Sequence, residues 1–483
     1  TNFLERAEKI DAYTIRLVLK RMPGIARWQY GLLGAPIFQK AYWEPKFAAA
    51  QASRNPIRAL YAFPGDDEPA IGGFRLRRVS RGAFVEHVAR ACTELLGCGA
   101  KIEVFSGGYL EEKAGVYKIQ IGNTQAGGPN KLETSFTAGP HLTNTIHHIT
   151  ADQNAALQAL AKGQVDFILN PLGVAAGARE QLAKTAGVTT VQNASNGIFY
   201  LSFNLRKTPF SELAFRQAVQ IMIDREFVCE TRLKGSCEPA YSVVPTSNQA
   251  WVNPKFTNET FLVTLGKGLS EGKRAELAVQ ALKAGSFSWD QEPRFDATRI
   301  TQVGRGLKFK NQPVSEIDLL CPTAGYDPLR ATFCTHIEDR LQRLGIPLRH
   351  NQTGFNVIVS RVFEEQRFDM WVLGWGLTLF PDYLRDFFHS ENTELRGHNP
   401  QGYSNPEFDK LADQFVAETD AAKAKVMADQ LQELVVRDLP YVVLFNAPLL
   451  EAYRSERVKF PYTRVLDGIQ GVNGMPSSVQ LIK

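Results

Sequence analysis

The segment Phe368 to Asn392 reads FDMWVLGWGLTLFPDYLRDFFHSEN. An almost wholly apolar run carries Trp371 and Trp375, breaks at Pro381-Asp382, and continues as aromatics interleaved with single charges. A core strand needs no such ending. A grip on a small molecule does: a flat aromatic offers contact area with few rotamers to freeze, and isolated polar groups fix orientation. Bond-making chemistry is harder to find. GxxxxGK[ST], GxSxG and HExxH are absent, and Gly304–Asn311 (GRGLKFKN) has two of the three glycines of a dinucleotide fingerprint with no helical pattern behind it. Of the eight histidines, His147 and His148 are neighbours on an expected strand, so they face opposite ways and cannot share an ion. His389 and His398 flank a loop and read as surface residues. Asp66-Asp67 and Glu364-Glu365 sit in polar surroundings, and Asp224 beside Arg225 reads as an ion-pairing residue. The pattern is one of binding, with no cofactor, no metal and no catalysis expected. A triad assembled in space would leave no such trace, so an α/β hydrolase stays open.

The six cysteines fall into three neighbouring couples, Cys92 with Cys98, Cys229 with Cys237, and Cys321 with Cys334. No CxxC occurs, and no histidine stands at zinc-ligand spacing from a couple. An even, locally grouped set suits disulfides in an oxidising compartment. The expectation is firmest for Cys229 and Cys237, where Gly235-Ser236 can turn the chain. Connectivity stays open at this level.

The 483 residues exceed one ordinary domain, and 44% apolar with 22% charged residues supports a large packed core in two or three lobes. A net charge of +5 is dilute, which argues against a nucleic-acid partner. Arg75, Arg77, Arg78 and Arg81 have the spacing of the solvated side of a strand. No run reaches the ~18 to 20 apolar residues of a membrane span, and no signal peptide is legible from Thr1 onward.

Periodicity supplies the elements that would hold a site. Asp11–Lys20 alternates as a strand. Asn144–Leu169 reads strand, helix, strand, with Gly163 closing the helix. Asn196–Leu205 is strongly β-prone, and Phe215, Ala218, Val219 and Met222 mark one face of a following helix. Asp327-Pro328 and Asn405-Pro406 are N-cap and N1 pairs, and Gly345 suits a helix C′ position. A strand is expected at 346–353, a helix from about Asp420, and a buried strand at Pro440–Phe445. The stretches 64–73, 121–140 and 285–313 read as loops or small excursions. The class is mixed α/β.

Five collinear segments resemble the extracellular solute-binding proteins of family 5, the receptors of peptide, nickel and oligosaccharide ABC importers. The segment from Phe199 to Val228 is similar to the family's strand-to-helix stretch, with Phe203-Asn204, Pro209-Phe210, Arg216-Gln217-Ala218 and Ile223-Asp224-Arg225. ADQNAALQALAKGQVDF, APIFQKAYWE (Ala35 to Glu44), LGWGLTLFPD and GYSNPEFDKLADQF resemble four further family segments. The resemblance runs from about residue 9 to 457; residues 71–135 and 252–313 diverge and leave the subfamily open.

The resemblance implies an α/β, two-lobed, periplasmic-binding-protein-like fold (type II, cluster C-like). The first lobe is expected at 1–199 and 446–483, with an extra subdomain around 64–140, and the second at 200–445. Family members carry a long portion ahead of the Asp11–Lys20 strand. The N-terminal part of the first lobe is therefore expected to be missing here, along with any signal peptide or lipoprotein anchor. The implied function is that of a monomeric, extracytoplasmic, non-enzymatic receptor delivering a solute to an ABC importer permease. A metal-chelate (nickel-type) receptor and a ligand-sensing receptor of the same fold are the alternatives. Trp375, Leu377, Thr378, Phe380, Asp382, Tyr383 and Arg385 are the expected ligand-binding residues, and Trp371 is expected in the core. Peptide receptors of the family often carry an aspartate three residues after the tryptophan. Here Thr378 stands in that place and the aspartate is Asp382, so peptide and other organic solutes both stay open.

Overall fold

Seven consecutive buried residues, Gly197–Phe203, form strand β1. A strand with no polar face must be covered on both sides, which calls for helices above and below the sheet. The computed structural model of the chain describes residues 4–12, 14–20, 23–26, 28, 38–63, 68–69, 72–95, 98–106, 111–113, 116–120, 131–168, 172, 176–463, 466–469 and 480–481. Expected features at Tyr13, Ala35–Ile37, 64–67, 70–71 and 121–130 lie outside the described residues.

The chain packs as two compact units, residues 1–35 with 196–447, and 36–195 with 448–483. Around β1 the first unit builds a six-stranded sheet from Glu238–Pro239 (β2), Ile317–Pro322 (β3), Leu348–Thr353 (β4), Met370–Gly376 (β5) and Tyr441–Asn446 (β6). The order is β2-β6-β1-β5-β3-β4. β1 runs antiparallel to β5 and β6, and β3 runs parallel to β4 and β5.

Strict alternation divides the side chains between two cores. Phe199, Leu201, Phe203, Met370 and Val372 join one, with helices Leu213–Met222 (α1), Glu271–Ala284 (α2) and Pro328–Arg343 (α3). Ile198, Tyr200, Trp371 and Leu373 join the other. There they lie under Tyr383–Phe388 (α4), Pro406–Ala417 (α5) and Ala421–Asp438 (α6). Trp371 is fully buried on that side, as expected.

The caps act where the residue types place them. Asp327 accepts from the Arg330 N–H and pairs with its guanidinium at 2.6 Å, both residues being buried. Asn405 accepts from Glu407 N–H, and Asp420 from Lys423 N–H. The arginines of the family motifs are latches. Arg216 donates to the carbonyls of Phe210, Ser211 and Asp438. Arg225 donates to Val443 O on β6 at 2.7 Å, and its guanidinium lies 4.6 Å from the Tyr241 ring centre.

Residues 1–35, expected with 36–199, group instead with 196–447. The link is local: Ile25 N–H donates to Glu418 O, and Ala26 is buried in the core that holds α5. In the second unit, Leu449–Arg454 pairs antiparallel with Phe167–Ile168 on one side and Val188–Asn193 on the other. Helix Gln153–Ala161, capped by Asp152, packs Leu157 and Leu160 against that sheet. The 285–313 stretch is a β excursion of five short strands, among them Phe287–Gln291 paired with Arg305–Phe309. Lys131–Thr137, expected within a loop or excursion, is a strand because it pairs along Lys101–Ser106. All three cysteine couples are disulfides, with Cα separations of 5.4 Å for Cys92–Cys98, 5.2 Å for Cys229–Cys237 and 6.4 Å for Cys321–Cys334. Among the described residues no helix is long and apolar enough to cross a membrane.

Candidate functional site

Strand β5 delivers Trp375 to the end of the sheet on the same face as Trp371 and Leu373, because side chains repeat every two residues. The position differs in one respect: Trp371 is sealed, while Trp375 is half-buried. One indole face stacks on Phe387 of α4, with ring centres 4.6 Å apart and planes at 19°. Phe363 meets it edge-on at 5.9 Å, and His398 at 6.2 Å. Its Nε1 donates a long 3.5 Å hydrogen bond to Tyr441 OH. The indole is therefore held from behind by its own unit, with part of its surface left open.

The chain then leaves the sheet. Leu377 is half-buried and packs on the same core. Thr378 is exposed; its hydroxyl lies 2.8 Å from Phe380 O and 3.2 Å from Asp382 Oδ1. Asp382 is half-buried, and burial, reinforced by the neighbouring Asp386, holds its carboxyl above the usual aspartate value. Among the described residues no basic side chain pairs with it. Desolvation without a cation partner is the physical cause, and a cation brought close would reverse it.

The other three expected residues sit differently. Phe380 is only 1% exposed, stacked on Phe415 at 5.2 Å and edge-on to Trp251 at 4.9 Å. Tyr383 is buried, its OH 3.5 Å from Val243 O, and burial raises its pKa strongly. Arg385 is committed to Asp413 at 2.7 Å and Glu391 at 2.6 Å. Trp375, Leu377, Thr378 and Asp382 thus share one edge, with Phe380 and Tyr383 turned into the core beneath it. Sequence reasoning missed Phe387, Phe363 and His398, the immediate surroundings of the indole. Phe387 lies in a visibly aromatic stretch, but nothing local marks which ring stacks on which. Among the described residues no three His, Cys, Asp or Glu side chains gather as a metal site.

A family model described as "Bacterial extracellular solute-binding proteins, family 5 Middle" matches residues 137–394, more than half of the chain. The chain is 24% identical over 319 residues to the oligopeptide-binding protein AppA of Bacillus subtilis (strain 168), covering 65% of this chain and 53% of that protein. It spans about half the length of the curated relatives it matches. The solved structure of Bacillus subtilis AppA in complex with a nonapeptide superposes with a TM-score of 0.72 at 18% identity, covering 100% of this chain and 79% of that one. NikZ from Campylobacter jejuni in complex with Ni(L-His) gives 0.70 at 15% identity, covering 99% and 78%. At these identities the superpositions establish the fold, of the two-lobed periplasmic-binding-protein type.

Proposed function

The chain belongs to the bacterial extracellular solute-binding proteins of family 5, and from that premise we propose that it is an extracytoplasmic receptor which hands a small organic solute to an ABC importer. The two compact units serve as the two lobes of such a receptor. Binding, without chemistry, shifts the receptor between conformations by the solute's differential affinity for them. Trp375 is the apolar anchor: backed by Phe387, its ring is already ordered and loses little freedom on binding. Leu377 and Thr378 extend the contact. Asp382 receives a positively charged group, since it is a half-buried carboxylate with a raised pKa, whereas Arg385 is occupied by two carboxylates. That contrast favours a cationic or amino-bearing solute over an anionic one. Phe380 and Tyr383 support the loop from below.

The observation that carries this reading is the half-open indole at the end of β5 in a chain whose residues 137–394 match the family. The test is native mass spectrometry of the purified protein, followed by calorimetry with the released solute. A co-purifying solute with an amino or other cationic group, bound more weakly by Asp382→Asn, is the expected result. Turnover of that solute into a new product would refute the receptor reading. An anionic solute unaffected by Asp382→Asn would refute the role of Asp382.

A further inference from the structure

Residues 377–380 follow the last residue of β5, and all four of their carbonyls are engaged by side chains. Asn196, fully buried, donates through Nδ2 to Leu377 O at 2.9 Å and to Thr378 O at 3.0 Å. Its own carbonyl accepts from Leu377 N–H at 2.8 Å. Asn248, also buried, donates through Nδ2 to Leu379 O at 2.8 Å. The Thr378 hydroxyl reaches Phe380 O. Four successive carbonyls held by three side chains is an uncommon way to hold a loop. Most backbone groups are satisfied by other backbone groups. A primary amide suits the task, because its two N–H donors can bridge consecutive carbonyls.

The position of Asn196 adds a second observation. It is the first residue after the chain passes out of the 36–195 unit. The return passage follows Ala447, and Asn446 just before it donates through Nδ2 to Gly197 O at 2.6 Å. Amide side chains therefore tie one passage to the other, and the first passage to the loop that carries Leu377 and Thr378.

We infer that Asn196 and Asn248 are positioning residues: they fix the 377–382 loop, and Asn196 couples its placement, and that of Trp375 beside it, to the point where the chain enters this unit. Neither needs to touch a solute. The inference deepens the receptor reading and rests on it for its functional meaning, while the geometry it asserts can be tested without any solute.

The test uses the full chain and three proteins: wild type, Asn196→Ala and Asn248→Ala. Amide hydrogen exchange is read by mass spectrometry, and Trp375 by ¹⁹F NMR of 5-fluorotryptophan-labelled protein, its resonance assigned by its loss in Trp375→Phe. Two hydrogen bonds to the loop are lost in Asn196→Ala, so exchange over 377–383 should quicken by about tenfold or more, with strand β3 unchanged. The Trp375 resonance should shift or broaden. Asn248→Ala should quicken exchange over 379–383 by a smaller factor. Unchanged exchange in the loop, or exchange that rises there only in step with β3, would overturn the inference, since the asparagines would then act on the whole unit alone. If Asn196→Ala does not fold, Asn248→Ala decides by the same criteria. Absence of a bound solute would sink the receptor reading and leave these readouts intact.

Discussion

Acidification should destabilise the unit of residues 196–447 through one buried side chain, His336 on α3. The imidazole is 7% exposed, and its Nε2 accepts from the Asp224 N–H at 3.1 Å. Burial lowers its pKa from 6.5 to about 3, helped by the cationic Arg340, Arg274 and Arg232 around it. The folded protein therefore holds His336 neutral down to about pH 3, while the unfolded chain takes up the proton near 6.5. Below pH 6.5 the unfolded state binds one proton more, so the contribution is whole above that pH and falls as the pH drops toward 3. At pH 6.5 the unfolded chain is only half protonated and the slope reaches its full value of about 1.4 kcal/mol per pH unit lower down, so going from pH 6.5 to 4.5 removes about 2 kcal/mol. Protonation would also set an N–H against the Asp224 N–H and abolish that hydrogen bond. The assay is urea unfolding at pH 6.5, 5.5 and 4.5, followed by tryptophan emission; five of the six tryptophans lie in this unit. His336→Gln can accept the same hydrogen bond without titrating, and it shares every carboxylate with the wild type. The wild type should lose about 2 kcal/mol more than the variant across this range. Superimposable profiles would refute the reasoning, because they would mean that His336 is protonated as readily in the folded protein as in the unfolded one.

Trp375→Ala should weaken affinity for the co-purifying solute by about 1–3 kcal/mol, the range of a buried aromatic anchor, with the melting temperature largely kept; calorimetry that finds equal affinities would remove Trp375 from the site. Asp327→Ala strips α3 of its cap and leaves the Arg330 guanidinium buried without its carboxylate, so stability in urea should fall by about 3–5 kcal/mol. Replacing Cys321 and Cys334 together by alanine opens a link across 13 residues and should cost about 3 kcal/mol by the same assay, whereas an unchanged unfolding midpoint would mean the bridge adds nothing to the fold.

Much of the fold was legible because its signals are local. Asp327-Pro328, Asn405-Pro406 and Asp420 act as caps because a short polar side chain reaches only the N–H groups two or three residues on. The near-continuous apolar, β-prone runs at Gly197–Phe203 and Met370–Gly376 announce buried strands for the same reason: each depends on residues next to one another in the chain. The cysteine couples are close in sequence, and in the structure each couple forms its own bridge.

The candidate site was legible only in outline. The residue types at 375–385 suggested a grip on a small molecule, but orientation there depends on partners far away in sequence. Phe380 turns inward because Phe415 and Trp251 receive it, and Arg385 is occupied because α5 brings Asp413 to it. Asn196 and Asn248 reach the loop across 181 and 131 residues. Residues 1–35 join the later unit through contacts with Val416–Glu418 that no local pattern encodes. Composition and spacing by themselves determined the capped helices, the buried strands and the kind of surface they could offer, though not a strand such as Lys131–Thr137 that exists through its pairing. Tertiary structure decided which side chains of that surface remain available, since burial and pairing depend on neighbours that only the folded chain brings together.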